Sequence, residues 1–145
     1  MAIPSVGILI IKNDKVLLVR NEAGSGYSNT IYGLPSGRVN IGETEIEAAA
    51  RELGEETGFH ATEDDLAEFP GNYFIKKLYN RKLTKERGAE FSWRVFLCQK
   101  YAGTLKTSPE TTPMWVPINK LPDYYLMPNI KEVVSTGLKF LNNNL

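Results

Sequence analysis

The sequence contains one cysteine, Cys98, and one histidine, His60, in 145 residues. A lone thiol forms no internal disulfide, which excludes a disulfide-stapled scaffold and suits a reducing compartment. One Cys and one His do not complete a zinc site by themselves. Charge of one sign is also missing, with 17 Lys and Arg standing against 17 Asp and Glu. A balanced chain argues against a binder of nucleic-acid polymer, whose affinity rests on neutralising many phosphates. Long apolar runs are absent. The stretch at residues 6–11 has no basic segment ahead of it and stops at Lys12. It is far too short to span a bilayer, and neither a membrane span nor a signal peptide is expected. No internal repeat or domain-sized linker occurs. Hydrophobic residues make up 42% of the chain and aromatics 10%, enough for a core and too many for a disordered chain. The expectation is a soluble, cytoplasmic protein with one domain over residues 1–145.

Residues 6–12 and 15–20 are apolar and β-branched, separated by Asn13-Asp14, which predicts two strands joined by a tight hairpin. Residues 21–30 are rich in Gly, Ser and Asn and read as a loop. Short extended pieces are expected at 31–34 and 38–39, broken by Pro35-Ser36-Gly37. Further strands are expected over 66–78, with a bend at Pro70-Gly71, over 91–101 and over 114–118. Pro128 opens a final helix whose apolar stripe is Ile130, Val133, Val134, Leu138 and Leu141. Strands outnumber helices, and the two helices lie far apart, which predicts a mixed sheet sandwiched between helices.

The informative helix is 44–57. Thr44 and Glu47 have capping-box spacing, and Gly58 stands just past the end. Ile46, Ala49, Ala50 and Leu53 form a narrow apolar stripe, while Glu52, Glu55 and Glu56 gather on another arc beside Glu45. Like charges four residues apart destabilise a helix by a few tenths of a kcal/mol, and carboxylates in the last turn oppose the helix dipole. Such a face is either simply solvated or built to hold a cation. Three carboxylates suit a hard, oxygen-preferring ion such as Mg²⁺ or Mn²⁺.

Gly37, Glu43, Arg51, Glu52, Leu53, Glu55, Glu56, Gly58 and Phe59 stand in the register G-x5-E-x7-R-E-(apolar)-x-E-E-x-G-(apolar). This is a complete Nudix box, and the chain resembles a Nudix hydrolase of the MutT-like kind. The identities alone would coincide by chance with a probability on the order of 10⁻⁹, at ~5% per residue type. The flanks match the family's usual order as well: a strand pair before the box, Leu34-Pro35 just ahead of Gly37, Trp115 after a late loop, and a terminal helix. The sequence departs from the family where Tyr32-Gly33-Leu34-Pro35-Ser36-Gly37 replaces the common W-x-L-P-G-G, and where Asn40 replaces a frequent Glu.

The resemblance implies an α+β fold, a Nudix-type α/β/α sandwich around a mixed β-sheet. It implies Mg²⁺-dependent hydrolysis, with Mn²⁺ as substitute, of a nucleoside diphosphate linked to a group X. Glu52, Glu55 and Glu56 would be metal ligands and catalytic groups, with the Gly37 carbonyl adding an oxygen. Arg51 would orient a box carboxylate, and Glu43 would support the loop-to-helix geometry through Arg51. Gly37 is expected in a turn and Gly58 at the helix stop, whereas Gly54 sits in mid-helix with no evident reason.

Outside the box, Glu110 resembles a loop Glu that serves as base or extra metal ligand, with Glu90 as the rival. Arg20 and Arg38 stand where phosphate-binding residues occur, against a reading as surface charge. The basic stretch at 76–87 reads as a solvated hairpin. Tyr73, Phe74, Tyr79, Trp93, Tyr124 and Tyr125 are available for stacking on a base. Asn129, in Met127-Pro128-Asn129, resembles an Asn that reads a purine edge, against a reading as a residue that only starts the helix.

The substrate expected from the resemblance is a nucleoside triphosphate, an oxidised purine being one candidate base, cleaved to nucleoside monophosphate and pyrophosphate. Alternatives are an ADP-ribose or nucleotide-sugar pyrophosphatase, dinucleoside polyphosphates, or a non-catalytic nucleotide-binding module. Pro70 lies nearer the box than in ADP-ribose members, and all box carboxylates are present, which weighs against the first and last. A small-molecule nucleotide is the expected partner, with no nucleic-acid polymer or membrane, for a monomer or homodimer.

Overall fold

In a computed structural model of the chain, residues 3–24, 29–68, 73–75, 91–108 and 111–143 are described. The elements in order are β1 (Ile3–Leu9), β2 (Ile11–Lys12), β3 (Lys15–Asn21), β4 (Ile31–Gly33), β5 (Ser36–Arg38), α1 (Glu45–Thr57) and β6 (Phe59–His60). A 3₁₀ turn, Glu63–Asp65, leads to β7 (Leu66–Glu68), followed by β8 (Tyr73–Ile75), β9 (Phe91–Cys98), β10 (Ala102–Gly103) and β11 (Thr111–Pro117). A second 3₁₀ segment, Ile118–Asp123, precedes α2 (Ile130–Asn143). Among the described residues no helix is long and apolar enough to cross a membrane.

One sheet runs β5-β1-β9-β7, with β8 also on β9. It is mixed: β1 and β9 are parallel, from Ile3 opposite Phe91 to Leu9 opposite Leu97, and the other pairs are antiparallel. A second, antiparallel sheet runs β11-β3-β2, with β4 also on β3. Side-chain alternation along the strands divides the core in two. Val6, Ile8, Leu17, Phe96 and Cys98 pack with Ala48, Ala49 and Leu53 of α1. Leu9, Val16, Leu18, Val95 and Leu97 pack with Ile130, Val133 and Val134 of α2. Helices therefore cover opposite faces, as the α/β/α expectation requires, and the described strands form three sheets, the two above and a small antiparallel pair of β6 and β10.

Several local expectations are corrected. Asn13 and Asp14 do form the tight turn, at φ 51° and 61°, the positive values of a type I′ hairpin. Only Ile11–Lys12 folds back on β3, however, and β1 crosses into the other sheet. A run buried on both faces carries no alternation that would reveal the crossing. The 91–101 strand ends at Cys98, and the 114–118 strand is Thr111–Pro117. Leu66–Glu68 and Tyr73–Ile75 are separate strands; residues 69–72 and 76–90, including the basic stretch and Tyr79, lie outside the described residues. Helix α2 begins at Ile130, because Asn129 is left-handed at φ 71°.

Candidate active site

The box helix α1 is bounded as its caps dictate. Thr44 Oγ1 accepts from the Glu47 N–H at 3.2 Å, and Glu47 Oε1 accepts from the Thr44 N–H at 3.0 Å. Gly58, at φ 86°, donates its N–H to the Gly54 carbonyl and stops the helix. Its buried residues are Ala48, Ala49, Leu53 and Thr57. Ile46 and Ala50, expected in the stripe, are only partly buried, and Ala48 takes the interior position instead. The buried stripe sets the arc on which the box carboxylates meet β5.

Among the described residues strand β5 is paired on one side only, with β1. The antiparallel register places Gly37 opposite Val6, and the flanking bonds Ile8 N–H to Pro35 O and Val39 N–H to Pro4 O fix its phase. In that phase the Gly37 N–H and carbonyl point into the sheet toward Val6. The Ser36 and Arg38 backbone groups face the free edge, and α1 covers that edge. The Ser36 N–H donates to Glu56 Oε1 at 2.7 Å, and the Arg38 carbonyl accepts from Arg51 Nη2 at 2.9 Å. Gly37 lies between them against the Glu52 carboxylate, which would collide with any Cβ there. The expected turn at Gly37 is therefore a strand position without positive φ, and it needs glycine for close approach. The backbone oxygens on the free edge are those of Ser36 and Arg38, while that of Gly37 faces Val6. A backbone role of this kind leaves no mark on side-chain identity.

Arg51 ties the box together. Its Nε donates to Glu43 Oε2 at 2.8 Å and its Nη2 to Glu43 Oε1 at 2.9 Å, a bidentate pair. Nη1 donates to Glu52 Oε1 at 2.7 Å and to Glu55 Oε2 at 3.2 Å. Glu43 Oε1 also accepts the Asn40 N–H at 3.0 Å. The Arg51 guanidinium and the Asn40 N–H hold the Glu43 carboxyl down at about 2, and Glu43 in turn raises the Arg51 guanidinium further above its ordinary value.

The acidic arc is only partly solvated. The Glu52 side chain is 13% exposed against 58% for Glu55. Burial pushes the Glu56 carboxyl up to about 8, opposed by the Ser36 N–H and reinforced by Glu52 and Glu55. Burial also raises Glu52, opposed by Arg51. Among the described residues no three carboxylate, imidazole or thiol groups converge into an ion-enclosing set in this arrangement. Arg51 draws Glu52 and Glu55 to itself, and Ser36 holds Glu56. The donor chemistry nonetheless fits a hard divalent cation. Glu52 and Glu56 are desolvated carboxylates one helical turn apart, beside a glycine that leaves room for them.

The remaining candidates are dispersed. Arg20 is ion-paired to Glu22 at 3.0 Å. The Arg38 side chain alternates away from the Glu52 side of β5, onto the face where Trp93 covers Gly7. Its Nε is buried with no hydrogen-bond partner among the described residues. Tyr124 packs edge-on against Tyr32, and Tyr125 is exposed. Asn129 accepts the Val133 N–H on its carbonyl at 2.9 Å. With Tyr124, Leu126, Met127, Lys131 and Glu132 it lines an open groove of about 290 Å³. Glu110 and Glu90 lie outside the described residues. On either side of the Glu110 position, Ser108 Oγ and Thr111 Oγ1 are 2.6 Å apart.

Chains that seat a glutamate-bearing box helix on a glycine-containing edge strand form a class, the Nudix-type hydrolase domain, and this chain is of that class. A family model for the NUDIX domain matches residues 1–136. Human 8-oxo-dGDP phosphatase NUDT18 is 32% identical over 122 residues, covering 81% of this chain and 32% of that protein. The mouse protein of the same name is 30% identical over 140 residues, covering 93% and 38%. This chain thus spans about a third of the length of the curated relatives it matches. The crystal structure of a MutT NUDIX hydrolase from Burkholderia pseudomallei shares the fold, with a TM-score of 0.72 at 19% identity over 94% of this chain and 98% of that one. The chain belongs to the NUDIX domain family.

Proposed function

We propose that this chain is a pyrophosphohydrolase that uses Mg²⁺, with Mn²⁺ as substitute, to cleave a nucleoside diphosphate linked to a further group. Its substrate is an oxidised purine nucleoside triphosphate, cleaved to nucleoside monophosphate and pyrophosphate. The carrying observation is the seating of two box carboxylates on the free edge of β5, Glu52 against Gly37 with its side chain 13% exposed and Glu56 on the Ser36 N–H. When bound, the dication neutralises the diphosphate and lowers the pKa of a water.

Glu52, Glu55 and Glu56 hold that ion, with the Ser36 carbonyl on the same edge. Arg51 positions Glu52 and Glu55 while no ion is bound. Arg38, whose Nε has no partner among the described residues, and Arg20 bind phosphate oxygens. Glu110 takes the proton of the attacking water or adds a ligand, and the Asn129 amide reads the purine edge. The enzyme works in the cytoplasm as a monomer or homodimer on small-molecule nucleotides.

A second reading has its own support, since the relatives are called 8-oxo-dGDP phosphatases. Under it the substrate is the nucleoside diphosphate and the product inorganic phosphate. Purified protein with Mg²⁺ is assayed against dGTP, its 8-oxo form, 8-oxo-dGDP, ADP-ribose and a nucleotide sugar, reading phosphate and pyrophosphate separately. Pyrophosphate from 8-oxo-dGTP supports the first reading, and phosphate from 8-oxo-dGDP the second. Preference for ADP-ribose or a sugar nucleotide overturns both.

A further inference from the structure

The guanidinium of Arg51 has two edges with different partners. Nε and Nη2 make three bonds, two to Glu43 at 2.8 and 2.9 Å and one to the Arg38 carbonyl at 2.9 Å. Glu43 is itself fixed by the Asn40 N–H, so this edge is anchored on both sides. Nη1 alone serves the carboxylates of α1, bonding Glu52 Oε1 at 2.7 Å and Glu55 Oε2 at 3.2 Å. Glu56 takes no share of Arg51 and relies on a backbone N–H.

The geometry points to Arg51 as an exchange cation: its Nη1 pairs Glu52 and Glu55 in the ion-free protein and would give them up to a divalent ion. The inference rests on the metal reading above. Arg51 need not leave, because the Glu43 edge holds the guanidinium while Nη1 turns to water. A planar fork permits this division, whereas a lysine ammonium, a single point charge, has no second edge to stay behind. Glu43 is therefore a positioning residue, which keeps the released arginine from following the carboxylates. The arrangement spares the metal-free helix an unpaired buried Glu52, at the expense of affinity for the ion.

Mn²⁺ binding is measured by electron paramagnetic resonance on the whole chain, Arg51→Gln and Arg38→Gln. Arg38→Gln removes an equal charge from the other face of β5 while keeping the backbone carbonyl that Arg51 bonds, and so controls for the field effect. Arg51→Gln should tighten Mn²⁺ by about three- to thirtyfold beyond Arg38→Gln, the range of a direct pairwise coupling. Tightening no greater than in Arg38→Gln, or weakening, as expected if Arg51 only orients the ligands, overturns the exchange. If the parent binds no Mn²⁺, the metal reading fails and the exchange with it. The unmodified protein supplies a second measurement should Arg51→Gln not fold. In ¹⁵N-arginine spectra, Mg²⁺ should shift the Arg51 Nη1 protons and quicken their exchange while Nε–H stays protected. Loss of both edges, or of neither, overturns the proposal.

Discussion

Glu56 shows how one side chain links the site to the stability of the fold. Its carboxyl titrates near 8 when folded and near 4.5 when free, so the folded protein holds the proton more tightly across that interval. Such a group stabilises the fold below its unfolded value and loses that contribution as pH rises through its folded value. In EDTA, Tm should fall between about pH 5 and 8, with Glu52 acting in the same direction. Glu56→Gln should flatten the decline while lowering kcat at least about 10²-fold, as for loss of one electrostatic contributor. A decline of unchanged slope in the variant would remove Glu56 as its cause. The box letters could be read because their spacing is local, but the burial of Glu52 and Glu56 could not. It depends on β5, and the sequence suggested only a carboxylate face turned to solvent or metal. Gly37 is similar: its need for glycine comes from the Glu52 carboxylate, which lies on another element.

Two elements yield tests of their own. Gly54 lies within α1, where a Cβ would stand 3.6 Å from His60 Nδ1, an ordinary contact. Gly54→Ala should therefore stabilise the protein by up to about 1 kcal/mol, the helix propensity difference, with unchanged turnover. A lower denaturation midpoint would show that the site needs the freedom of that glycine. Ahead of α2, Asn129 sits at φ 71°, a region that costs most residues about 1–2 kcal/mol but suits Asn and Gly. Asn129→Ala thus mixes backbone strain with loss of the amide, and Asn129→Gly separates them. If the amide reads a base, Asn129→Gly should keep its Tm. It should also lose roughly ten- to a hundredfold in kcat/KM on the preferred purine nucleotide, with little change on dCTP. An equal loss on both substrates would assign the residue to helix geometry. The helices themselves were legible from caps and stripes. The α2 start was misplaced because a left-handed Asn is not distinguished by type from an ordinary N-terminal one.

At the scale of the molecule, β1 is the organising strand, central to its sheet and lined by both cores. Gly7 on β1 lies directly under the Trp93 indole, with ring carbon Cε2 2.6 Å from where a Cβ would be. Gly7→Ala should destabilise the fold by about 1–3 kcal/mol through overpacking, measured by denaturant melts. Native stability in that variant would mean the indole shifts freely. By itself the sequence determined the α+β class, the box helix with both of its caps, and the carboxylate set, since each depends on spacing within a few turns of chain. Tertiary structure alone decided that β1 pairs in parallel with β9 rather than hairpinning with β3. It decided too that α1 covers the free edge of β5, and that Ser36 and Arg38 rather than Gly37 turn their backbone groups to that edge. The physical reason is the same in each case. A strand apolar on both faces gives no clue to its partner, and a backbone group's direction depends on the ladder that captures its neighbours, not on the identity of its side chain.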